Sequence, residues 1–256
     1  MNAARGIEAV IAALALPTDA RVEQRVPKKL LLEQGAPTAA DKRRIQDEID
    51  EVTWFAALKP TNIGVAAYRN GVREYLEIAV IGAVLRESAR ASRLTELLHR
   101  AIPYPVVLIA AEAHSVSLSL AHKRWSQNEA GAVVIEEMRA TAAFRPESPS
   151  ACEAAFLGSL PVSALEARDL FALYQGWLER VMALDAALIT GHFALPETLE
   201  RATARRDALA KYAEIGREIV SLRARAKKET QMNRRVELNM SIRRLETELT
   251  EIKRAL

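Results

Sequence analysis

The chain has 256 residues, 50% of them apolar and 27% charged, and 36 Lys and Arg against 33 Asp and Glu leave it at +3. A chain of this length and mixture buries a sizeable core, which excludes both a disordered protein and a stapled miniprotein. One cysteine, Cys152, makes no internal disulfide and fits a reducing compartment, and no apolar run approaches the roughly 20 residues that cross a bilayer. A cytoplasmic protein without a membrane span is expected.

The elements follow in chain order. Ile7, Val10, Ile11 and Leu14 recur at helical spacing and predict an amphipathic first helix ending before Pro17, with Glu8 interrupting what could otherwise pass for an export signal. Residues 21–32 read as an extended segment with Val22, Val26, Leu30 and Leu32 on one face and Pro27 marking it as peripheral. Thr38 and Asp41 form an N-cap signal for a helix carrying Ile45, Ile49, Val52 and Phe55 to about Ala57, with Trp54 and Phe55 as core anchors and Pro60 closing it. Asn70-Gly71 then predicts a tight hairpin between residues 62–69 and 72–85, whose second strand becomes wholly apolar from Ile78. A helix from an N-cap at Ser92 to about Ala101 leads to strands at residues 106–111, 116–122 and 133–141, the last two joined by a polar turn at residues 126–131.

The fold class read from this order is α+β, a mixed sheet with flanking helices, followed by a long helical, coiled-coil-like C-terminal region. Residues 1–144 form the α/β domain, the proline- and serine-rich residues 145–150 a linker, 151–195 a helical segment and 196–256 the tail. The segment includes an apolar helix over about residues 165–189, bounded by Gly191. In the tail, Tyr212, Ile215, Ile219, Leu222 and Ala226 form one apolar seam, and Leu238, Ile242, Leu245, Leu249, Ile252 and Leu256 a second. The polar stretch 227–235 between them breaks the register, as a discontinuity or a bend. Fifteen Lys and Arg against ten Asp and Glu give residues 196–256 a charge of +5 and leave the remainder at −2. Such a surface can attract phosphates, or can simply be a solvated helix face.

Chemistry-bearing patterns are sparse. The ten glycines form no phosphate-cradling loop, no nucleophile elbow is present, and one cysteine with His99, His114, His122 and His192 lacks zinc-ligand spacing, although His114 and His122 could meet across a sheet. The enzymatic option is a metal-dependent nuclease using Glu74, Glu77, Glu112, Lys28 and Lys29, but no strand carboxylate is followed two positions later by lysine. No cofactor or metal is expected, and an enzyme is the less favoured reading.

Four segments carry a resemblance: residues 26–29 (Val-Pro-Lys-Lys), Asp41-Lys42 leading to Trp54 and residues 59–62 (Lys-Pro-Thr-Asn), residues 101–105 (Ala-Ile-Pro-Tyr-Pro), and the tail stretch 228–239. Together they resemble an uncharacterised bacterial family, domain of unknown function 4391, across most of the chain. The resemblance implies gene neighbours such as helicases and DNA methyltransferases of restriction or phage-defence clusters, and hence an accessory role. Lys28, Lys29, Lys42 and Lys59 are the candidate phosphate- or DNA-binding residues, if the fold gathers them. Gln231, Asn233, Arg234 and Asn239, beside Leu238, Ile242, Leu245, Leu249 and Ile252, are the candidate partner-binding residues, because polar groups at a break between apolar seams often set partner choice.

A single helix of the tail's length cannot bury its own apolar stripe. The expected function is therefore a non-catalytic adaptor that docks through its C-terminal helices on a larger helicase or methyltransferase of a DNA-processing defence assembly. A metal-dependent nuclease or DNA-binding module is the alternative. DNA contact through the basic tail and homo-oligomerisation are compatible with both.

Overall fold

A computed structural model describes residues 3–87, 89–127 and 132–256. The chain forms two compact units, Met1–Val181 and Met182–Leu256, and the 145–150 stretch lies inside the first.

The first unit is built on a six-stranded mixed sheet. Its strands are β1 (Arg21–Arg25), β2 (Ile49–Leu58), β5 (Ile78–Leu85), β6 (Val106–Glu112), β7 (Ser115–Trp125) and β8 (Val133–Ala140), in that spatial order. All neighbours are antiparallel except β5 and β6, which are parallel and joined through helix α5 (Ala91–Ala101). A separate two-stranded ribbon, β3 (Tyr68–Arg69) with β4 (Glu74–Tyr75), precedes β5. The apolar run of β5 is buried along its length except for half-buried Val84, as a central strand between two helical layers requires.

One layer holds α2 (Lys28–Gly35), α3 (Ala39–Glu48) and α5, whose Leu31, Ile45, Leu94, Leu97 and Leu98 pack with Ile81, Ala83, Leu108 and Ala110 of the strands. Arg93 of α5 clamps Asp41 of α3 with two bonds, Nε to Oδ1 at 3.0 Å and a terminal nitrogen to Oδ2 at 2.9 Å. The Arg93 guanidinium, aided by the Thr38 hydroxyl, holds the Asp41 carboxyl below its ordinary value. Helix α1 (Ala3–Leu14) also lies on the sheet with Ile7, Val10, Ile11 and Leu14 buried, as its spacing predicts. Helix α6 (Ala151–Ser159) starts at a capping box between Ser150 and Glu153. Its C-terminal end is tied to α7 (Leu170–Thr190) by the Arg180 guanidinium, which donates to the carbonyls of Ser159, Ala164 and Gly176 at 2.7–2.9 Å. Gly191, the expected boundary of α7, ends it in the left-handed conformation at φ +87°.

Several expected boundaries are corrected. The extended segment stops at Arg25, and residues 28–35 are helical because Pro27 stands just ahead of the first turn, where its missing N–H costs nothing. The helix capped by Thr38 ends at Glu48, and residues 49–58 are strand β2. Irregularities between Ile49 and Glu51 and between Trp54 and Ala56 break the two-residue alternation of β2, so its apolar set imitates helical spacing while the β-branched and aromatic run Val52 to Phe55 favours the strand. Pro60 opens a four-residue helix, α4 (Pro60–Ile63), rather than only closing one. The hairpin at Asn70-Gly71 exists, but Tyr68 pairs with Tyr75 and Arg69 with Glu74 around a four-residue loop. There Asn70 Oδ1 accepts from the N–H groups of Val72 and Arg73, and neither Asn70 nor Gly71 takes a positive φ. The turn between β7 and β8 lies partly outside the described residues, at positions 128–131.

In the second unit the tail is two helices, α8 (Leu199–Lys228) and α9 (Met232–Ala255), separated by three residues. The short connection turns the chain back on itself. Lys211 reaches Glu248 and Arg223 reaches Glu246, which fits antiparallel neighbours. The seams pack on each other: Ile215, Ile219 and Leu222 meet Ile242 and Leu245, flanked by Ala226, Leu238, Leu249 and Ile252. The apolar stripe expected to need another polypeptide is thus satisfied within the chain.

Two tests follow from packing. An ideal Cβ on Gly35 would stand 2.5 Å from Ala101 Cβ and 2.7 Å from the Leu97 carbonyl oxygen, whereas one on Gly216 within α8 meets nothing inside 4 Å. Gly35→Ala should therefore lose about 1–3 kcal/mol and Gly216→Ala gain about 0.5–1 kcal/mol in urea unfolding. Ile219→Ala should cost about 2–4 kcal/mol and raise amide exchange across α8 and α9, while truncating its exposed neighbour Val220 to Ala should leave exchange unchanged.

Candidate functional site: a buried lysine between two cavities

Strand β7 carries three consecutive ionisable residues, His122-Lys123-Arg124, just before its last residue, Trp125. Alternation sends His122 to one face of the sheet and Lys123 to the other. Opposite this point β8 carries one extra residue, Glu136, because His122 pairs with Glu137 and Lys123 with Ile135. A bulge of this kind re-aims side chains locally, and Glu136 is held by Arg73 at 2.8 Å.

On the His122 face the polar groups are satisfied. The Tyr75 hydroxyl bonds Nδ1 of the ring and Gln175 Oε1 lies 2.7 Å from Nε2. This fits an Nε2–H tautomer donating to the amide and accepting from the tyrosine. Tyr174 accepts from the Ala121 N–H at 2.7 Å and donates to the Val106 carbonyl at 2.8 Å. Phe171 stacks on Tyr68 at 5.0 Å and packs edge-on against Tyr75. Burial pushes the Tyr75 and Tyr174 hydroxyls up and the His122 imidazole down, with Gln175 opposing the latter.

On the opposite face Lys123 is only 5% exposed. Its ammonium donates to the Ile102 carbonyl, at the C-cap of α5, and to the Tyr104 carbonyl at 2.6 Å. A cation at a helix C-terminus is favourably placed against the helix dipole. Among the described residues no carboxylate pairs with it, and burial alone pushes its pKa down to about 7. Nearby His99 is fully enclosed, with Nε2 at 3.0 Å from Ser119 Oγ and Nδ1 without a partner among the described residues. Burial, and then the charge of Lys123, hold its imidazole well below the ordinary value.

Lys123 and Pro103 border two cavities at once. The smaller, about 330 Å³, is lined by Arg73, Leu76, Tyr104, Arg124 and Trp125 among others. The larger, about 640 Å³, runs past His99, Arg100 and the end of α2. No sequence motif marks this site. The sequence signal is the ionisable triplet near the end of β7, and a strand ended at His122 leaves Lys123 out of it.

The sequence candidates are placed differently. Lys28 donates to the Gln46 and Ile49 carbonyls, Lys29 lies 3.8 Å from Glu33, and Lys59 pairs with Glu77 at 3.1 Å, while Lys42 is exposed on α3. Lys28 sits at the start of β2 and Lys59 just past its end, roughly 30 Å along a ten-residue strand, so the four lysines do not form one patch. Of the carboxylates, Glu74 is held by Arg69 and Glu77 by Lys59, with Glu112 at the far end of β6. Among the described residues no three His, Cys, Asp or Glu side chains gather as metal ligands. His114, exposed at the turn between β6 and β7, stands about 25 Å along β7 from His122, so those rings do not converge. In the tail, Gln231, Asn233, Arg234 and Asn239 are exposed, while Leu238, Ile242, Leu245, Leu249 and Ile252 form the internal seam. Trp54 is half-buried on β2 and donates to the Ala56 carbonyl at 2.7 Å.

Burial of Lys123 has a consequence for pH. The unfolded chain keeps the ordinary lysine value of 10.5 and so binds more protons than the folded chain between about 7 and 10. Stability should rise with pH across that window, by roughly 2 kcal/mol from pH 7 to 9. Lys123→Met should flatten the rise in urea titrations, and an unchanged slope would refute this reading of the site.

Comparison with known proteins adds one result. No curated protein and no solved structure matches the chain, and among the described residues no helix is long and apolar enough to cross a membrane. The family described as Domain of unknown function (DUF4391) matches residues 14–249, nearly the whole length described above, and the chain belongs to that family.

Proposed function

We propose that the chain is a non-catalytic adaptor subunit of a cytoplasmic, DNA-processing restriction or phage-defence assembly, and that it docks on a helicase or methyltransferase through its C-terminal hairpin. The observation that carries this reading is what the hairpin leaves outside. Met232, Val236 and Met240 recur every four residues along α9, are 63%, 47% and 67% exposed, and belong to no part of the internal seam. Residues four apart share a helix face, so the three form an apolar stripe in solvent. Methionine-rich stripes suit adaptable recognition of a partner's groove. The α8–α9 pair, read as a short coiled coil, would act as the arm presenting that stripe. This differs from the expectation in which Leu238, Ile242, Leu245, Leu249 and Ile252 themselves meet the partner, because those side chains are already used.

The test is co-elution of the full chain with a helicase or a methyltransferase of a defence cluster. Replacing Met232 and Met240 by Gln and Val236 by Glu should weaken the complex at least about thirtyfold, while helical content stays unchanged. Retained affinity in that variant would overturn docking through the stripe. Binding instead to duplex DNA, with affinity falling steeply as salt rises, would favour the DNA-binding alternative through exposed arginines such as Arg234, Arg235, Arg243 and Arg244.

A further inference from the structure

Buried charges in folded proteins are paired, because an isolated ion loses its hydration without compensation. Lys123 departs from this rule among the described residues. An ammonium has three donors, and two of them are taken by the Ile102 and Tyr104 carbonyls. These neutral acceptors bracket Pro103, which together with Lys123 borders the 330 Å³ cavity. The charges around that cavity are unevenly matched. Glu74 already holds Arg69 at 2.5 Å, Glu77 holds Lys59 at 3.1 Å, and Arg73 is engaged by Glu136 at 2.8 Å. Arg124 donates to the Trp125 carbonyl at 3.2 Å and, like Lys123, meets no carboxylate among the described residues. Among the described residues the unmatched charge at the cavity is therefore positive. The rest of the lining is apolar or aromatic, with Leu76, Tyr104, Trp125 and Val133 available to a ring.

We propose that this cavity binds a small anion with an aromatic body, a carboxylate or a phosphate monoester, whose charged group supplies the counter-ion that Lys123 lacks among the described residues. The ring lies against Tyr104 and Trp125, and Arg124 adds a second cation at the mouth. A volume of about 330 Å³ admits a single ring system with its acid group. Its lining residues are distinct from those of the stripe on α9.

The experiment uses the full chain with benzoate, phenyl phosphate, inorganic phosphate and the neutral isostere benzamide at pH 6.5, followed by thermal shift and tryptophan fluorescence. Benzoate or phenyl phosphate should bind saturably, raise the melting temperature and quench fluorescence, with the quench lost in Trp125→Phe. Whichever anion binds about tenfold more tightly assigns the acid class. Inorganic phosphate and benzamide should bind at least about tenfold more weakly than that anion. Lys123→Met should abolish the response. Val133→Phe, which fills the cavity and keeps the lysine, should do so as well and serves if the first variant does not fold. Absence of binding by both aromatic anions below about 10 mM, equal binding of benzamide, or undiminished binding in a folded Lys123→Met variant would overturn the proposal. A lysine that only ties down the Ile102–Tyr104 loop would change stability on substitution without any anion-dependent signal.

Discussion

Burial of β5 on both faces organises the first unit. Its eight residues, Ile78–Leu85, carry no ionisable side chain, so neither face of this strand can turn to water without exposing Ile, Val and Leu. Helices must cover both faces. The parallel pairing with β6 meets part of that need, because a parallel neighbour requires a crossover and the crossover here is α5. The C-terminal end of α5 arrives just before β6, and the Ile102–Pro105 turn brings its last carbonyls to the end of β7. The Lys123 site is thus a product of strand order.

The two faces of β7 illustrate how a fold separates structural from available polar groups. On one side Tyr75, His122 and Gln175 form a closed chain of donors and acceptors, and Tyr174 links β7 to the Val106 carbonyl. A satisfied network of this kind rigidifies its surroundings and offers nothing to a ligand. On the other side Lys123 and His99 are both buried, and Nδ1 of His99 and one ammonium proton of Lys123 have no partner among the described residues. Cavities flank that side. The contrast arises within two consecutive residues of one strand, because alternation alone sends neighbouring side chains to opposite faces.

The tail resolves its own hydrophobic problem. A helical hairpin closed by three residues lets one seam bury the other with little loop entropy, and the polar residues at the turn remain in water. What is left outside includes a narrower stripe on α9, and an interaction through it would be reversible and separable from folding.

Periodicity alone determined much of this protein. The first helix, the buried β5 and β6, the strands expected at 116–122 and 133–141 and found at 115–125 and 133–140, the Thr38 cap and the two apolar seams are local patterns, and local propensity and tertiary demand agree there. Residues 49–58 failed because bulges in β2 gave an apolar spacing close to that of a helix, and residues 28–35 because Pro27 serves a helix start as readily as an edge strand. The site was not legible, since Lys123 is buried against the end of a helix about twenty residues upstream. Only tertiary structure decides such things: which strands adjoin, where a helix end falls, and whether an apolar stripe meets its complement in the same chain are long-range consequences of packing that no window of sequence contains.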